Sequence, residues 1–349
     1  MRPARALVFL IAALALPATS IAQAYGEAIS ADNLRRLRPY AQIDFEALDA
    51  ALAIGWFAAN DDATEFVVFG RSGEVYDIYY SEELRQWRSR RERGARTIAL
   101  IDGLRLPGET MILHQLDDQF YLNDYQLRSG HAAVALFQGL SADNLFVETV
   151  DDNGQTRFLH YTVDRETGAL ALQDVIPFPD RADDAPAIRL GRINFPVVIV
   201  SALAASALHV YRYPDSFDEA GAKAFQLVDG PAVLGAVNGL AASHLAWTNP
   251  ARAHLSLLDL KTGEDRTVAA LDGSYPQYLL LSNDASAILA VNLDFQPQVV
   301  AWNVESGARY DLGPYRECGR IPDHVELSRD GRALIIGCDT GLEIWRVID

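Results

Sequence analysis

The sequence predicts an all-β protein in which one small antiparallel sheet recurs along the chain. A short motif is repeated: an aromatic or large aliphatic residue, any residue, an aliphatic residue, and a polar turn ending in Gly. Runs of alternating apolar residues flank the motif, for example Glu65–Phe69 with Glu74–Tyr79. No long stretch has a helical period. The best helical candidate, Ser81–Arg93, fits an outer strand equally well.

Seven copies of the motif set the size of the repeat. Trp302–Gly307 is the clearest copy, and Leu258–Gly263 and Tyr125–Gly130 match it. The anchor residues are Tyr76, Tyr125, Tyr161, Tyr211, Leu258, Trp302 and Trp345. Their mean separation of about 45 residues is typical of a four-stranded propeller blade. The sequence therefore predicts a single seven-bladed β-propeller.

The predicted blades follow one another along the chain, and the last blade is incomplete. They span approximately residues 50–93, 96–130, 132–172, 186–226, 232–270, 276–312 and 322–349. The last repeat stops close to Trp345, without an outer strand, whereas Ile29–Ile43 precedes the first repeat and has no blade of its own. We expect residues 29–45 to supply the missing strand, which would close the ring and remove an exposed edge.

The first 24 residues read as a cleavable signal peptide. Arg2 and Arg5 precede an apolar run from Leu7 to Leu16, and Ala22-Gln23-Ala24 offers a small-x-small cleavage site. The run is too short for a membrane anchor, and no other segment reaches the ~20 apolar residues that a span needs. The sequence predicts cleavage after Ala24, a secreted or extracytoplasmic location, and no transmembrane segment in the mature chain.

The net charge of the chain narrows the classes of molecule that it could bind. The net charge of −17 becomes about −19 when Arg2 and Arg5 are removed. Such acidity disfavours nucleic acid and anionic membranes as general partners. We expect a monomer that binds a protein or another extracellular ligand.

Cys318 and Cys338 are the two cysteines. In an exported chain, two cysteines about twenty residues apart favour a disulfide. If Val325–Leu327 pairs with Leu334–Ile336, Cys338 lies near Asp323, within reach of Cys318. Two free thiols or a metal pair are the alternatives, but two sulfurs and His324 make an incomplete zinc set.

The last repeat carries a family resemblance. Val325–Gly331, followed by Gly341–Trp345, resembles the closing blade of WD40-like (WD40/YVTN-type) propellers, and Ile29–Leu34 resembles the lead-in of their bacterial exported branch. Trp302-Asn303 and Trp345-Arg346 stand where that family has Trp-Asp. The resemblance implies a non-catalytic binding platform and assigns no functional residue to a specific position.

Motifs that would indicate catalysis or a cofactor are missing. The seven histidines are scattered at about one per repeat, without metal-ligand spacing. Asp151-Asp152-Asn153-Gly154 is similar to a calcium loop, yet no Glu closes it at the expected distance, so a hairpin turn is the simpler interpretation. There is no nucleophile elbow, phosphate loop or zinc-protease helix. We therefore assign no catalytic residue, metal or cofactor.

One basic cluster stands out in this acidic chain. It contains the candidate partner-binding residues Arg85, Trp87, Arg88, Arg90 and Arg91. The cluster could dock an acidic surface or a polyanionic glycan, or it could be a solvated outer strand.

Three functions remain open at this point. The first is a non-enzymatic scaffold that binds a protein or small ligand at one face of the ring. The second is a propeller hydrolase or lyase with channel carboxylates and a divalent metal. The third is a carbohydrate-binding module that uses Trp and Arg. An enzyme should bring two carboxylates, or a His and a carboxylate, together at one channel mouth.

Overall fold

The computed structural model describes most of the chain. The described residues are 26–48, 54–60, 62–70, 74–91, 99–106, 109–116, 119–127, 131–138, 143–151, 153–164, 167, 169–177, 187–189, 197–202, 207–212, 221–226, 234–237, 243–249, 254–271, 274–315, 322, 324–338 and 340–348. The predicted signal peptide and Cys318 lie outside them. Within the described part, no helix has the length and hydropathy to cross a membrane.

The described strands form seven four-stranded antiparallel sheets, which we number along the chain. Sheet 1 contains β2 (Ile54–Ala59), β3 (Glu65–Gly70), β4 (Val75–Ser81) and β5 (Gln86–Arg91). Sheet 2 contains β6 (Ala99–Leu106), β7 (Glu109–Leu116), β8 (Gln119–Leu122) and β9 (Tyr125–Gln126). Sheet 3 contains β10 (His131–Gln138), β11 (Asn144–Asp151), β12 (Thr156–Val163) and β13 (Leu170–Pro177).

The remaining sheets repeat this order. Sheet 4 contains β14 (Ala187–Arg189), β15 (Val197–Ala202), β16 (Ala207–Arg212) and β17 (Gly221–Gln226). Sheet 5 contains β18 (Leu234–Val237), β19 (His244–Asn249), β20 (His254–Asp259) and β21 (Asp265–Ala270). Sheet 6 contains β22 (Pro276–Leu281), β23 (Ala287–Leu293), β24 (Gln296–Asn303) and β25 (Arg309–Pro314). Sheet 7 contains β26 (His324–Leu327), β27 (Ala333–Cys338), β28 (Gly341–Val347) and β1 (Leu37–Asp44).

Sheet 7 is built from both ends of the chain. β1 pairs antiparallel with β28, with Leu37 opposite Val347 and Asp44 opposite Gly341. A 3-10 turn over Leu34–Arg36 leads into β1, and a second one over Glu46–Leu48 follows it. The N-terminal segment thus supplies the strand that the last repeat lacks.

Five pairs of neighbouring sheets pack face to face, and in four of these pairs the first strands lie side by side. Contacts join β2 with β6, β6 with β10, β18 with β22, and β22 with β26. Apolar clusters fill the spaces between sheets 1 and 2, 2 and 3, 5 and 6, 6 and 7, and 7 and 1. We call the first strand of each sheet its inner strand and the fourth its outer strand.

The burial pattern of each strand follows its place in the sheet. Every residue of β23, β27 and β28 is buried, because both faces of a central strand contact a neighbouring sheet. The outer strand β5 instead alternates exposed and half-buried residues over most of its length. Ser81–Arg93 therefore contains an outer strand, and no α-helix is found among the described residues.

Candidate functional site

The inner strands of sheets 7 and 1 bring a histidine and a carboxylate together. Glu326 on β26 is 7 % exposed, and its Oε1 accepts the backbone N–H of Ala59 on β2 at 2.9 Å. Its Oε2 lies 3.5 Å from His324 Nε2. The His324 ring packs edge-on against Phe57, with ring centroids 4.9 Å apart. We call Glu326, His324, Phe57 and Ala59 the seam cluster.

The geometry of the seam cluster suits a structural contact. A general base needs a lone pair that can reach a substrate proton. Here one carboxylate oxygen is used by a main-chain donor, and the imidazole is enclosed by an aromatic ring and the same carboxylate. The cluster therefore joins β26 to β2 where the last and first sheets meet.

Asp77 on β4 is another buried carboxylate that a neighbouring strand contacts. It is 1 % exposed, and its Oδ2 lies 2.5 Å from Arg90 Nη2 on the adjacent strand β5. A buried carboxylate is costly unless it is paired. The guanidinium of Arg90 thus compensates the buried charge of Asp77.

A hydroxyl cluster lies between sheets 6 and 7. Tyr315 donates its hydroxyl hydrogen to Asn292 Oδ1 at 3.1 Å, and Tyr278 donates to the backbone oxygen of Pro322 at 2.7 Å. Burial, reinforced by Tyr278 and Glu343, raises the pKa of Tyr315 far above its usual range. Both hydroxyls donate hydrogen bonds that position the residues at the end of β25 and just before β26.

The basic cluster predicted from the sequence lies on the outer strand of sheet 1 and the turn before it. Arg88, Arg90 and Arg91 are exposed on β5, and Arg85 occupies the preceding turn with φ +50°. Arg91 Nη2 lies 3.4 Å from Glu74 Oε1. The structure places three of these arginines along one strand, where Arg90 and Arg91 form ion pairs within sheet 1.

Trp87 differs from its arginine neighbours. It is half-buried, with its ring 5.7 Å from that of Phe66 and 5.4 Å from that of Tyr80. A ring that packs on two aromatic neighbours stabilises the strand and presents little free face to a sugar. Trp87 therefore orients β5, and the exposed chemistry of the cluster is that of its arginines.

The turn that resembles a calcium loop in sequence uses the carboxylate of Asp151 internally. Asp151 Oδ1 accepts the backbone N–H groups of Asn153 and Gln155, each at 2.9 Å. Asp151 Oδ2 lies 3.5 Å from Arg157 Nε. This is the hydrogen-bond pattern of a hairpin turn. Among the described residues, no group of three or more His, Cys, Asp or Glu side chains could hold a metal ion.

Two other histidines are held in partly buried positions. Burial lowers the pKa of His114 and that of His160. His160 stacks on Phe146 at 4.6 Å, and its Nε2 lies 3.0 Å from Asn144 Oδ1. His114 stacks on Tyr121 at 5.5 Å. Both rings serve as flat packing surfaces in their sheets.

Cys338 ends β27 and is 2 % exposed. No cysteine in the described part of the chain is free. Cys318 lies outside the described residues, so the pairing of Cys318 with Cys338 stays a prediction.

The sequence did not point to Glu326 or Asp77. Each is a single charged residue inside an apolar run, Val325-Glu326-Leu327 and Tyr76-Asp77-Ile78. That interruption was the available signal, because a charge inside a buried strand needs a partner. Their partners come from β2 and β5, which sequence spacing alone does not identify.

The comparisons with known proteins bear on the fold. No protein-family model matches the sequence, and no curated protein matches it significantly. Among solved structures, 958 chains match significantly, so the fold is too widespread to indicate a function. One is the crystal structure of Kluyvelomyces marxianus Hsv2, a propeller protein, with a TM-score of 0.54 and 10 % identity over 85 % of this chain and 93 % of that chain. The chain therefore has a β-propeller-like fold.

Proposed function

We propose that this protein is an exported, non-enzymatic scaffold whose seven sheets are the blades of one closed ring. It acts as a monomer and binds a protein or a small extracellular ligand at one face of that ring. The loops between strands of several blades would form the binding surface.

The closed ring is supported by contacts between the two ends of the chain. β1 supplies the outer strand of sheet 7. An apolar cluster that includes Ile43, Phe57 and Ile335 fills the space between sheets 7 and 1. The bond from Ala59 N–H to Glu326 adds a polar link at the inner strands.

The non-enzymatic role rests on one observation: the buried ionisable groups described above are engaged in structural contacts. Glu326 accepts a main-chain N–H, Asp77 pairs with Arg90, and Tyr315 donates to Asn292. A catalytic group has to keep an atom available to the substrate. The polar atoms of these groups form hydrogen bonds and an ion pair that link strands and turns.

Export is supported by the N-terminal sequence. Leu7–Leu16 is a suitable signal core, with a cleavage site after Ala24. Fractionation of the native cells and N-terminal sequencing of the protein test this part. Tyr25 as the first residue is expected, and a cytoplasmic chain that retains Leu7–Leu16 would refute export.

A ligand screen by thermal shift tests the binding function. A ligand present at about one hundred times its Kd stabilises the folded state by about 2.7 kcal/mol, which raises the Tm by a few degrees. The panel should contain neutral and acidic oligosaccharides, acidic and basic peptides, and Ca²⁺ with and without chelator. A Tm increase with one organic class is expected, and a chelator-sensitive increase with Ca²⁺ would contradict the metal-free proposal.

The enzymatic alternative is tested on the same preparation. Chromogenic esters and glycosides and a simple lactone should show no turnover above buffer. Turnover that scales with protein concentration and disappears in Glu326→Gln would overturn the scaffold proposal and assign chemistry to the seam cluster.

A further inference from the structure

The outer strand β5 has an open backbone edge with a defined set of donors and acceptors. It is the last strand of sheet 1, so its side away from β4 has no partner strand in that sheet. Tyr80 donates its N–H to Thr64 O on the β3 side at 2.9 Å. Because backbone direction alternates along an antiparallel strand, Tyr79 faces β5 and pairs with Arg88. Arg88, opposite Tyr79, therefore points its N–H and C=O groups back toward β4. The alternate residues of β5, Trp87, Ser89 and Arg91, point theirs to the open edge.

The charge of β5 sets it apart from the other outer strands. Gln86–Arg91 contains three arginines and no acidic residue. By sequence, β9 and β13 contain no Lys or Arg, and β17, β21, β25 and β1 contain one each. In β21, β25 and β1 an Asp accompanies that single Arg. In a chain of net charge −17, β5 is the distinctly basic outer strand.

Arg90 and Arg91 remain accessible although each of them contacts a carboxylate in sheet 1. The side chain of Arg90 is 66 % exposed while it contacts Asp77, and that of Arg91 is 64 % exposed while it contacts Glu74. A guanidinium has five N–H donors, so it can contact a second carboxylate. The acidic residues of the preceding turn, Glu82 and Glu83, lie at the far end of the strand from Arg91. Positive charge is thus concentrated between Arg88 and Arg91.

Contacts on the opposite face hold β5 in place. Trp87 packs on Phe66 and Tyr80, and Ser89 Oγ donates to Leu48 O at 2.7 Å. A strand whose conformation is already fixed loses little entropy when a partner pairs with it. The edge is therefore preformed for pairing.

We propose that β5 is a docking strand for an acidic, extended segment of a partner protein, which adds to sheet 1 as a fifth strand. Main-chain hydrogen bonds to Trp87, Ser89 and Arg91 would supply affinity. Carboxylates at alternate positions of the segment would lie opposite Arg88 and Arg90 and supply specificity. A polypeptide fits better than a polyanionic glycan, because only a polypeptide matches the open row of N–H and C=O groups. This lateral site is separate from the ligand site proposed at the face of the ring.

A peptide-binding experiment on the full mature chain tests this inference. The probe is a fluorescent peptide with Glu at alternate positions and Val or Thr between them, followed by anisotropy. Saturable binding that weakens with added salt is expected, because exposed charges are screened over about 8 Å at physiological ionic strength. Absence of binding, or equal binding of a peptide with the same composition and central prolines, would overturn the proposal.

Two variants of one residue separate strand addition from simple charge attraction. Ser89→Pro removes an edge N–H that is not used within sheet 1, and should weaken peptide binding roughly three- to ten-fold. Ser89→Ala keeps that N–H and loses only the hydroxyl bond to Leu48, so it should bind like the wild type. Equal affinity of the two variants would refute strand addition.

Removing charge gives the complementary test. Arg88→Gln should weaken binding by up to about five-fold, whereas Arg309→Gln, on the outer strand of sheet 6, should have no effect. If a sulfated oligosaccharide displaces the peptide and binds Ser89→Pro and Ser89→Ala equally, the surface is a glycan site and the proposal is wrong.

Amide hydrogen exchange on the unmodified chain covers the case in which Ser89→Pro does not fold. Saturating peptide should slow exchange at Trp87, Ser89 and Arg91. Unchanged exchange at these three amides while the peptide is bound would contradict the proposed pairing.

Discussion

At the scale of single residues, the buried carboxylates of Glu326 and Asp77 are held by groups from other strands. Glu326 reaches the main chain of Ala59 across the space between sheets 7 and 1. Asp77 reaches Arg90 within sheet 1. Removing one partner of a buried polar contact costs more than the contact itself contributes, because the other partner stays desolvated. These residues are therefore sensitive positions even without a catalytic role.

Glu326→Ala should lower the free energy of unfolding by about 1–3 kcal/mol, because it leaves the Ala59 N–H without its acceptor in a partly buried position. Urea unfolding followed by fluorescence measures this change. Glu326→Gln retains an acceptor oxygen and should lose less. The exposed Glu305→Ala is the control, with an effect within about 0.5 kcal/mol. Equal stability of Glu326→Ala and the control would refute the seam contact.

The ionisation of Asp284 makes the free energy of unfolding depend on pH in the acidic range. Burial alone would raise its pKa, but hydrogen bonds from Ser282 and from Ser286 outweigh it, so the pKa lies below its ordinary value. A folded-state pKa below the unfolded value of about 3.9 gives stability that is present above that pH and is lost as the pH falls through the folded pKa.

Unfolding experiments between about pH 3 and 5 test this dependence. Asp284→Asn should flatten the loss of stability on acidification relative to the wild type. An acid slope identical in Asp284→Asn and the wild type would contradict the assignment.

Exposed residues were easier to predict than paired ones. The arginines of the basic cluster lie on an exposed strand, as a run of like charges indicates. The seam cluster was not predictable, because Glu326 and Ala59 lie 267 residues apart in the chain. Trp87 was grouped with the arginines as a candidate partner-binding residue, and its packing on Phe66 and Tyr80 is seen only in the structure.

At the scale of elements, the turn between the first two strands recurs with the same hydrogen bonds in sheets 6 and 7. In sheet 7, Ser328 Oγ donates to Asp330 Oδ1 at 2.7 Å and accepts the Ala333 N–H at 2.9 Å. Ser282, Asp284 and Ala287 make the same two contacts in sheet 6. Asn283 of one turn donates to Arg329 O of the next at 3.0 Å. Neighbouring turns therefore support each other directly.

Two glycines in turns should respond differently to a methyl group. Gly331 has φ +72°, and an added Cβ would lie 2.7 Å from Asn283 Nδ2. Gly154 has φ +76°, and nothing lies within 4 Å of its Cβ position. Gly331→Ala should therefore lower the Tm more than Gly154→Ala, since both variants carry the backbone strain and only the first displaces the Asn283 side chain. Equal losses would mean that the contact between the turns is unimportant.

Most strands could be recognised from the alternation of apolar and polar residues. The assignment was ambiguous where a segment consists mainly of charged and polar residues. Glu65–Phe69 and Ala287–Val291 read as strands and form β3 and β23. Ser81–Arg93 fitted a helix or a strand because long polar side chains occur on exposed faces of both. Pairing with β4 decides in favour of a strand, and such pairing is a property of the sheet rather than of the segment.

At the scale of the whole molecule, the two ends of the chain meet in one sheet. Ile29 and Leu34 pack between sheets 6 and 7, and β1 covers the edge of β28. The N-terminal segment contributes buried apolar surface as well as a strand. Its place could be predicted because the last repeat lacked a strand and the first residues lacked a repeat.

Deletion of residues 26–44 should abolish cooperative unfolding. Loss of a single fully buried Leu or Ile side chain costs about 2–5 kcal/mol, and the deleted segment contains Ile29, Leu34, Leu37 and Ile43. Calorimetry of the truncated chain measures the effect, and a synthetic peptide of residues 26–44 added in trans should restore part of the transition. The chain that lacks only residues 1–24 is the control. A truncated chain that melts like this control would refute closure by β1.

The pairing of β1 with β28 also sets a minimum waiting time during synthesis. The ribosome adds on the order of 5–20 residues per second, so the stretch between Asp44 and Gly341 takes roughly 15–60 seconds to make. Throughout that interval β1 has no partner strand and exposes Leu37 and Ile43. Sheet 7 is therefore the last sheet to be completed, and it uses the first strand to be made. Among the described strands, β1 therefore waits longest for its partner to be synthesised. A chaperone that shields β1 until β28 is made would protect it during this interval.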